Sequence, residues 1–84
     1  MTFKELLDQV SKIEGVAVRF KRIEHRLILI FWKGHSPIAH VYVDAYEYNK
    51  DYPKLFEMNL YDMLELDQLL YDFTQTPLEE RELP

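Results

Sequence analysis

Along residues 26–34, RLILIFWKG, Leu27, Leu29 and Phe31 alternate with Ile28, Ile30 and Trp32. Both faces of an extended segment there are apolar, so it cannot sit at a wetted edge. The pattern predicts the central strand of a sheet. Its β-branched and aromatic residues favour the pleated backbone. Left unpaired, the same run is an aggregation hazard, so the rest of the chain must cover it.

Upstream, Phe3, Leu6, Leu7, Val10 and Ile13 recur at spacings of three and four. This is the apolar stripe of a helix, predicted over 3–14, with a Thr2–Glu5 capping box and Gly15 at its end. In 16–23, Val16, Val18 and Phe20 alternate with Ala17, Arg19 and Lys21, the pattern of a half-buried strand with a solvated basic face. Glu24-His25 and Gly34-His35-Ser36-Pro37 read as turns. A third strand is predicted over 38–46. Ala39, Val41, Val43 and Ala45 form its apolar face, and His40, Tyr42, Asp44 and Tyr46 the other. Residues 47–58 read as a loop anchored on the core by Leu55 and Phe56. Asn59 suits an N-cap, with Asp62 in the first turn of a helix over 60–75. Leu60, Met63, Leu64, Leu66, Leu69, Leu70, Tyr71 and Phe73 take more than half of its circumference, leaving Glu65, Gln68 and Asp72 as a narrow polar strip. So wide an apolar surface must touch more than the sheet. Thr76-Pro77-Leu78-Glu79 spells a second capping box, predicting a short helix over 77–82.

The expected fold is α+β, one domain over 1–84 in the order α-β-β-β-α. A three-stranded antiparallel meander has its helices packed on one face, and a short C-terminal helix follows. Residues such as Ile28, Ile30, Trp32, Tyr42 and Tyr46 then fall on the other face. Two arrangements stay open there: an exposed interface, or a face covered by the 48–56 loop.

Composition narrows the function classes. The chain has 84 residues, 48% of them hydrophobic, and no cysteine. Disulfides, thiolate catalysis and Cys-based metal sites are excluded. The stability expected of so small a core is about 3–8 kcal/mol. No basic segment followed by an apolar one opens the chain, and no apolar run exceeds six residues. We therefore expect neither a secretory leader nor a membrane span, and a cytoplasmic location.

His25, His35 and His40 are not spaced as a ligand set, Ser11 and Ser36 lack a nucleophile setting, and Gly15 and Gly34 cannot build a phosphate loop. The expectation is no enzyme, no metal and no cofactor. The net charge is −5, with residues 1–56 near +2 and residues 57–84 near −7. Arg19, Lys21, Arg22, His25 and Arg26 cluster at the first hairpin and offer a nucleic-acid patch, but the overall acidity argues against phosphate binding. The acids of 57–84 suit docking to a basic partner better. The leading reading is a protein-binding module, with a second copy of the chain as one candidate partner. Its candidate contact residues are Trp32, Tyr42, Tyr46, Glu65, Asp72, Glu79 and Glu80.

The run LELDQLLYDFTQTPLEER, residues 64–81, is an acidic amphipathic helix, then Thr-Pro, then a Glu/Arg-rich turn. It resembles the ending of small phage- and prophage-encoded proteins of Gram-positive bacteria. The resemblance covers about a fifth of the chain and transfers no functional residue. It implies a host cytoplasm and an accessory role, binding or inhibiting another protein. By analogy with small acidic anti-CRISPR proteins, an alternative is an inhibitor that mimics nucleic acid against a basic host protein.

Overall fold

Thr2 opens the first helix through reciprocal bonds. Its hydroxyl accepts from the Glu5 amide at 3.1 Å, and the Glu5 carboxylate accepts from the Thr2 amide at 3.0 Å. In the computed structural model, which describes residues 1–84, this helix (α1) spans Phe3–Val10. It stops short of the expected residue 14. The Ser11 hydroxyl turns back to the Asp8 carbonyl, and the amides of Lys12 and Ile13 donate to Gln9 and Val10. Three-residue steps of this kind tighten the chain out of α geometry. Ile13 is still carried into the core.

Three strands follow, β1 (Val16–Ile23), β2 (Arg26–Lys33) and β3 (Ser36–Tyr42), paired antiparallel in the order β1-β2-β3. The central place of β2 is the one its two apolar faces require. Glu24 and His25 both take positive φ, 50° and 70°, as a two-residue type I′ turn demands. Gly34 supplies the positive φ of the second turn.

Phe31 pairs with Ala39, but Trp32 pairs with Pro37, which leaves Ile38 as the extra residue of a bulge. Ile38 and Ala39, neighbours in the chain, are consequently both fully buried. The third strand also ends earlier than expected. The Val43 amide still donates to Leu27, but the Ala45 amide turns back to Tyr42, and Asp44 goes to Arg26.

A 3₁₀ helix, Pro53–Glu57, leads into α2, Leu60–Gln75. The Asn59 side chain caps α2 by accepting from the Tyr61 amide at 2.8 Å. Of the expected anchor pair, Leu55 is buried and Phe56 is not. Consecutive residues of a 3₁₀ turn point about 120° apart, so both cannot face the core.

One core joins Leu6 and Val10 of α1, Leu29, Phe31, Ala39 and Val41 of the sheet, and Leu66, Leu69, Leu70 and Phe73 of α2. Both helices therefore cover the same sheet face. No helix is long and apolar enough to cross a membrane.

The C-terminal helix is shorter than predicted, a single 3₁₀ turn, Leu78–Glu80, without a side-chain cap. Thr76 does not cap it; its hydroxyl instead donates to the Asp72 carbonyl and accepts from the N-terminal ammonium. The turn instead delivers Arg81 to the interior, where it is fully buried. The guanidinium donates to four carbonyls, those of Thr76, Val43, Ala45 and Thr74, at 2.7–2.9 Å. It also lies about 5 Å from the rings of Phe73 and Tyr46. Two of the carbonyls belong to the last turn of α2 and its C-cap, where the helix dipole favours a cation. Burial lowers the guanidinium's affinity for its proton.

Candidate functional site

Five of the seven large exposed hydrophobic side chains lie on α2 or the 3₁₀ helix before it: Phe56, Leu60, Tyr61, Leu64 and Tyr71, each 52–81% exposed. At 100° per residue, Leu60, Leu64 and Tyr71 fall within about 40° of one another around α2, so they form one stripe. Beside it, Leu55, Phe56, Met63 and Leu64 line a cleft of about 100 Å³ that Lys50 and Asp67 complete. These apolar residues were not among the sequence candidates. The width of the apolar arc signalled a surplus, but the seating of α2 on the sheet decides which part of the arc is left out.

Asp67 fixes the loop to this helix. Its carboxylate accepts from the Tyr48 hydroxyl at 2.6 Å and from Lys50 at 2.9 Å. Burial alone would raise the Asp67 pKa, but those two donors bring it below the usual carboxylate range. Burial and the same carboxylate push the Tyr48 phenol up, so it remains a donor. On the other sheet face, the hydrogen bond from Arg26 lowers Asp44 in the same sense.

Carboxylates of this kind bind protons more weakly in the fold than in the unfolded chain, where Asp titrates near ~3.9. Their contribution is complete above about pH 5, begins to fall near pH 4 and is lost as pH drops on through the lowered value in the fold. The urea midpoint is expected to drop across that window, and Asp67→Asn should shallow the drop. An equally steep drop in Asp67→Asn would remove Asp67 as a source.

The predicted contact residues fall into separate groups. Glu65 and Asp72 are exposed on α2, next to the apolar stripe, and Asp72 accepts from Gln68. Glu79 and Glu80 are exposed on the last 3₁₀ turn. Tyr46 is exposed above Arg81. Trp32 and Tyr42 lie on the sheet face away from the helices, half-buried, each with an arginine over its ring. Arg19 is 4.9 Å from the Trp32 centroid, and Arg26 is 4.1 Å from that of Tyr42.

The loop after β3 borders this face. Asn49 pairs with His40 through two backbone bonds, and the Tyr52 hydroxyl meets His40 Nδ1 at 2.7 Å. His25 lies in the first turn and His35 in the second, far along the sheet from any shared ligand set.

Two distinct surfaces result. An apolar and acidic surface lies on the helical side, and an aromatic and basic one lies on the sheet. No family model, curated protein or solved structure matches this chain.

Proposed function

We propose that this protein is a non-enzymatic protein-binding module that meets its partner through the exposed face of α2. The observation that carries this reading is the exposure of Leu60, Leu64 and Tyr71 on one side of α2, with Phe56 and Tyr61 exposed as well. Exposed large apolar side chains gathered on one helix and the turn before it are a common mark of an interface.

The rim sets the partner's chemistry. Glu65 and Asp72 are exposed beside the stripe, and α2 contains no Lys or Arg. The nearby cations, Lys50 and Lys54, are already paired with Asp67 and Glu57. Two copies packed through this face would set acid against acid, so a different chain carrying apolar residues among Lys and Arg fits better. A basic nucleic-acid-binding protein inhibited by this surface is one form of that partner. The phage-like run 64–81 is in keeping with such an accessory role in a host cytoplasm.

The test is affinity capture from the native host followed by measured affinity. Leu60→Ser with Leu64→Ser should weaken binding at least about tenfold, while exposed positions move stability by less than ~0.5 kcal/mol. Glu65→Lys with Asp72→Lys should slow association several-fold at low salt and much less at high salt. A partner held equally well by both variants would overturn the assignment of the surface.

A further inference from the structure

The side chains on the sheet face away from the helices follow from the register. Lys21 stands opposite Ile28, Arg19 opposite Ile30, and Ala17 opposite Trp32. On the other side, Tyr42 stands opposite Ile28 and His40 opposite Ile30. Its aromatic groups are thus Trp32, His40 and Tyr42, with a basic row along β1. Asp44, the acid at its end, is taken by Arg26 through Nε and a terminal nitrogen at 2.8–3.3 Å. Arg19 and Lys21 form no ion pair.

The acidity of the chain lies elsewhere. Residues 57–84 hold eight of the fifteen acids, and α2 packs on the opposite sheet face. The net charge therefore misrepresents the field over this face, which is locally positive.

We propose that this open face binds single-stranded nucleic acid. Unpaired bases stack along Trp32 and Tyr42 while Arg19 and Lys21 hold phosphates. Tyr42 sits opposite Ile28, four residues along β2 from Trp32. That places the two rings about 13 Å apart at ~3.3 Å per residue, a span of a few extended nucleotides. In the free protein Arg19 lies over the Trp32 ring and Arg26 over that of Tyr42, and bases take their places on the rings while Arg19 turns to a phosphate. Stacking on side chains requires bases that are unpaired and splayed out, so the ligand is single-stranded. DNA and RNA share the chemistry this face reads, and separate oligothymidine and oligouridine arms tell them apart.

Trp32 is the protein's one tryptophan, so its emission reports on this face alone. Titration with short oligothymidine or oligouridine at low salt should quench it. Two neutralised phosphates on a single strand predict that a tenfold rise in salt lowers affinity about 25-fold. Arg19→Ala with Lys21→Ala should cut affinity at least about tenfold and flatten that dependence, with the urea midpoint unchanged. Leu60→Ser with Leu64→Ser, on the other side of the molecule, should leave quenching intact whether or not that surface binds protein. Three results would each overturn the proposal: unchanged emission with both oligonucleotides, equal binding by the Arg19/Lys21 variant, or competition by inorganic polyphosphate as strong as that by the oligonucleotides. The last would leave a bare anion patch without stacking.

Discussion

Replacing Arg81 by methionine will cost about 3–5 kcal/mol of folding stability, on the scale of removing one member of a buried charged contact. For a domain expected to hold only about 3–8 kcal/mol, this empties much of the folded population at moderate temperature. Methionine fills similar space, and in many buried ion pairs an apolar replacement of both partners is tolerated. Here the partners are backbone carbonyls of Thr74, Thr76, Val43 and Ala45, which no substitution removes. Each one left buried and unpaired costs about 1–3 kcal/mol, less whatever water recovers as the tail loosens. Arg81→Lys should rescue little. One ammonium cannot span four carbonyls in a planar fork while lying against Phe73 and Tyr46. Urea titration reads the effect directly, with Glu79→Ala as the exposed control expected within ~0.5 kcal/mol. A loss below about 1 kcal/mol in Arg81→Met would show that the carbonyls find water easily, and that the guanidinium is a passenger.

Phe31→Ala is expected to be comparably damaging, at about 3–5 kcal/mol, while Trp32→Ala next to it should cost only about 1–2 kcal/mol. The two residues follow one another in the same apolar run, yet their environments differ. Phe31 is fully buried, pairs with Val18 and Ala39, and belongs to the core shared by α1, α2 and the sheet. Its removal leaves a cavity walled by both helices, which collapse poorly onto a rigid strand. Trp32 faces the other way, half-buried beneath Arg19, and its loss opens a surface depression that water fills. Chemical denaturation of both variants checks the contrast. Equal losses would mean that the outer sheet face is as tightly covered as the inner one.

These two residues also mark the limits of what the amino-acid pattern carries. The alternation in β2 announces a strand buried on both sides, and Asn59 with the following apolar residues announces α2, because both signals are local and periodic. The order α-β-β-β-α follows from short connections between such segments. The early end of α1 depends on the Ser11 hydroxyl turning back to the Asp8 carbonyl, a choice that the stripe from Phe3 to Ile13 does not encode. Leu55 and Phe56 look equivalent as anchors, and only the 3₁₀ geometry separates them. Arg81 was invisible as a core residue because its partners are main-chain carbonyls, which have no residue type to read. On the candidate surfaces, the sequence placed Trp32 and Tyr42 on one face and Glu65 and Asp72 on one strip. It could not place Arg19 and Arg26 over the rings, since that needs the strand register. It put Leu60, Leu64 and Tyr71 in one wide apolar arc with the core residues, since only the seating of α2 on the sheet divides that arc into inside and outside.

The two ends of the chain meet around the Arg81 latch. The Phe3 amide donates to the Arg81 carbonyl at 2.6 Å, the N-terminal ammonium to Thr76 at 2.9 Å, and Met1 and Leu83 both rest against the same core. In topological terms the backbone is close to a covalent circle that happens to be cut between residues 84 and 1. The sequence order is then one of several linear readings of the same ring, and the hairpin tip at Glu24–His25 is another place where the cut could stand. Any segment fused to either end leaves from a single pole of the molecule, beside the guanidinium that closes it.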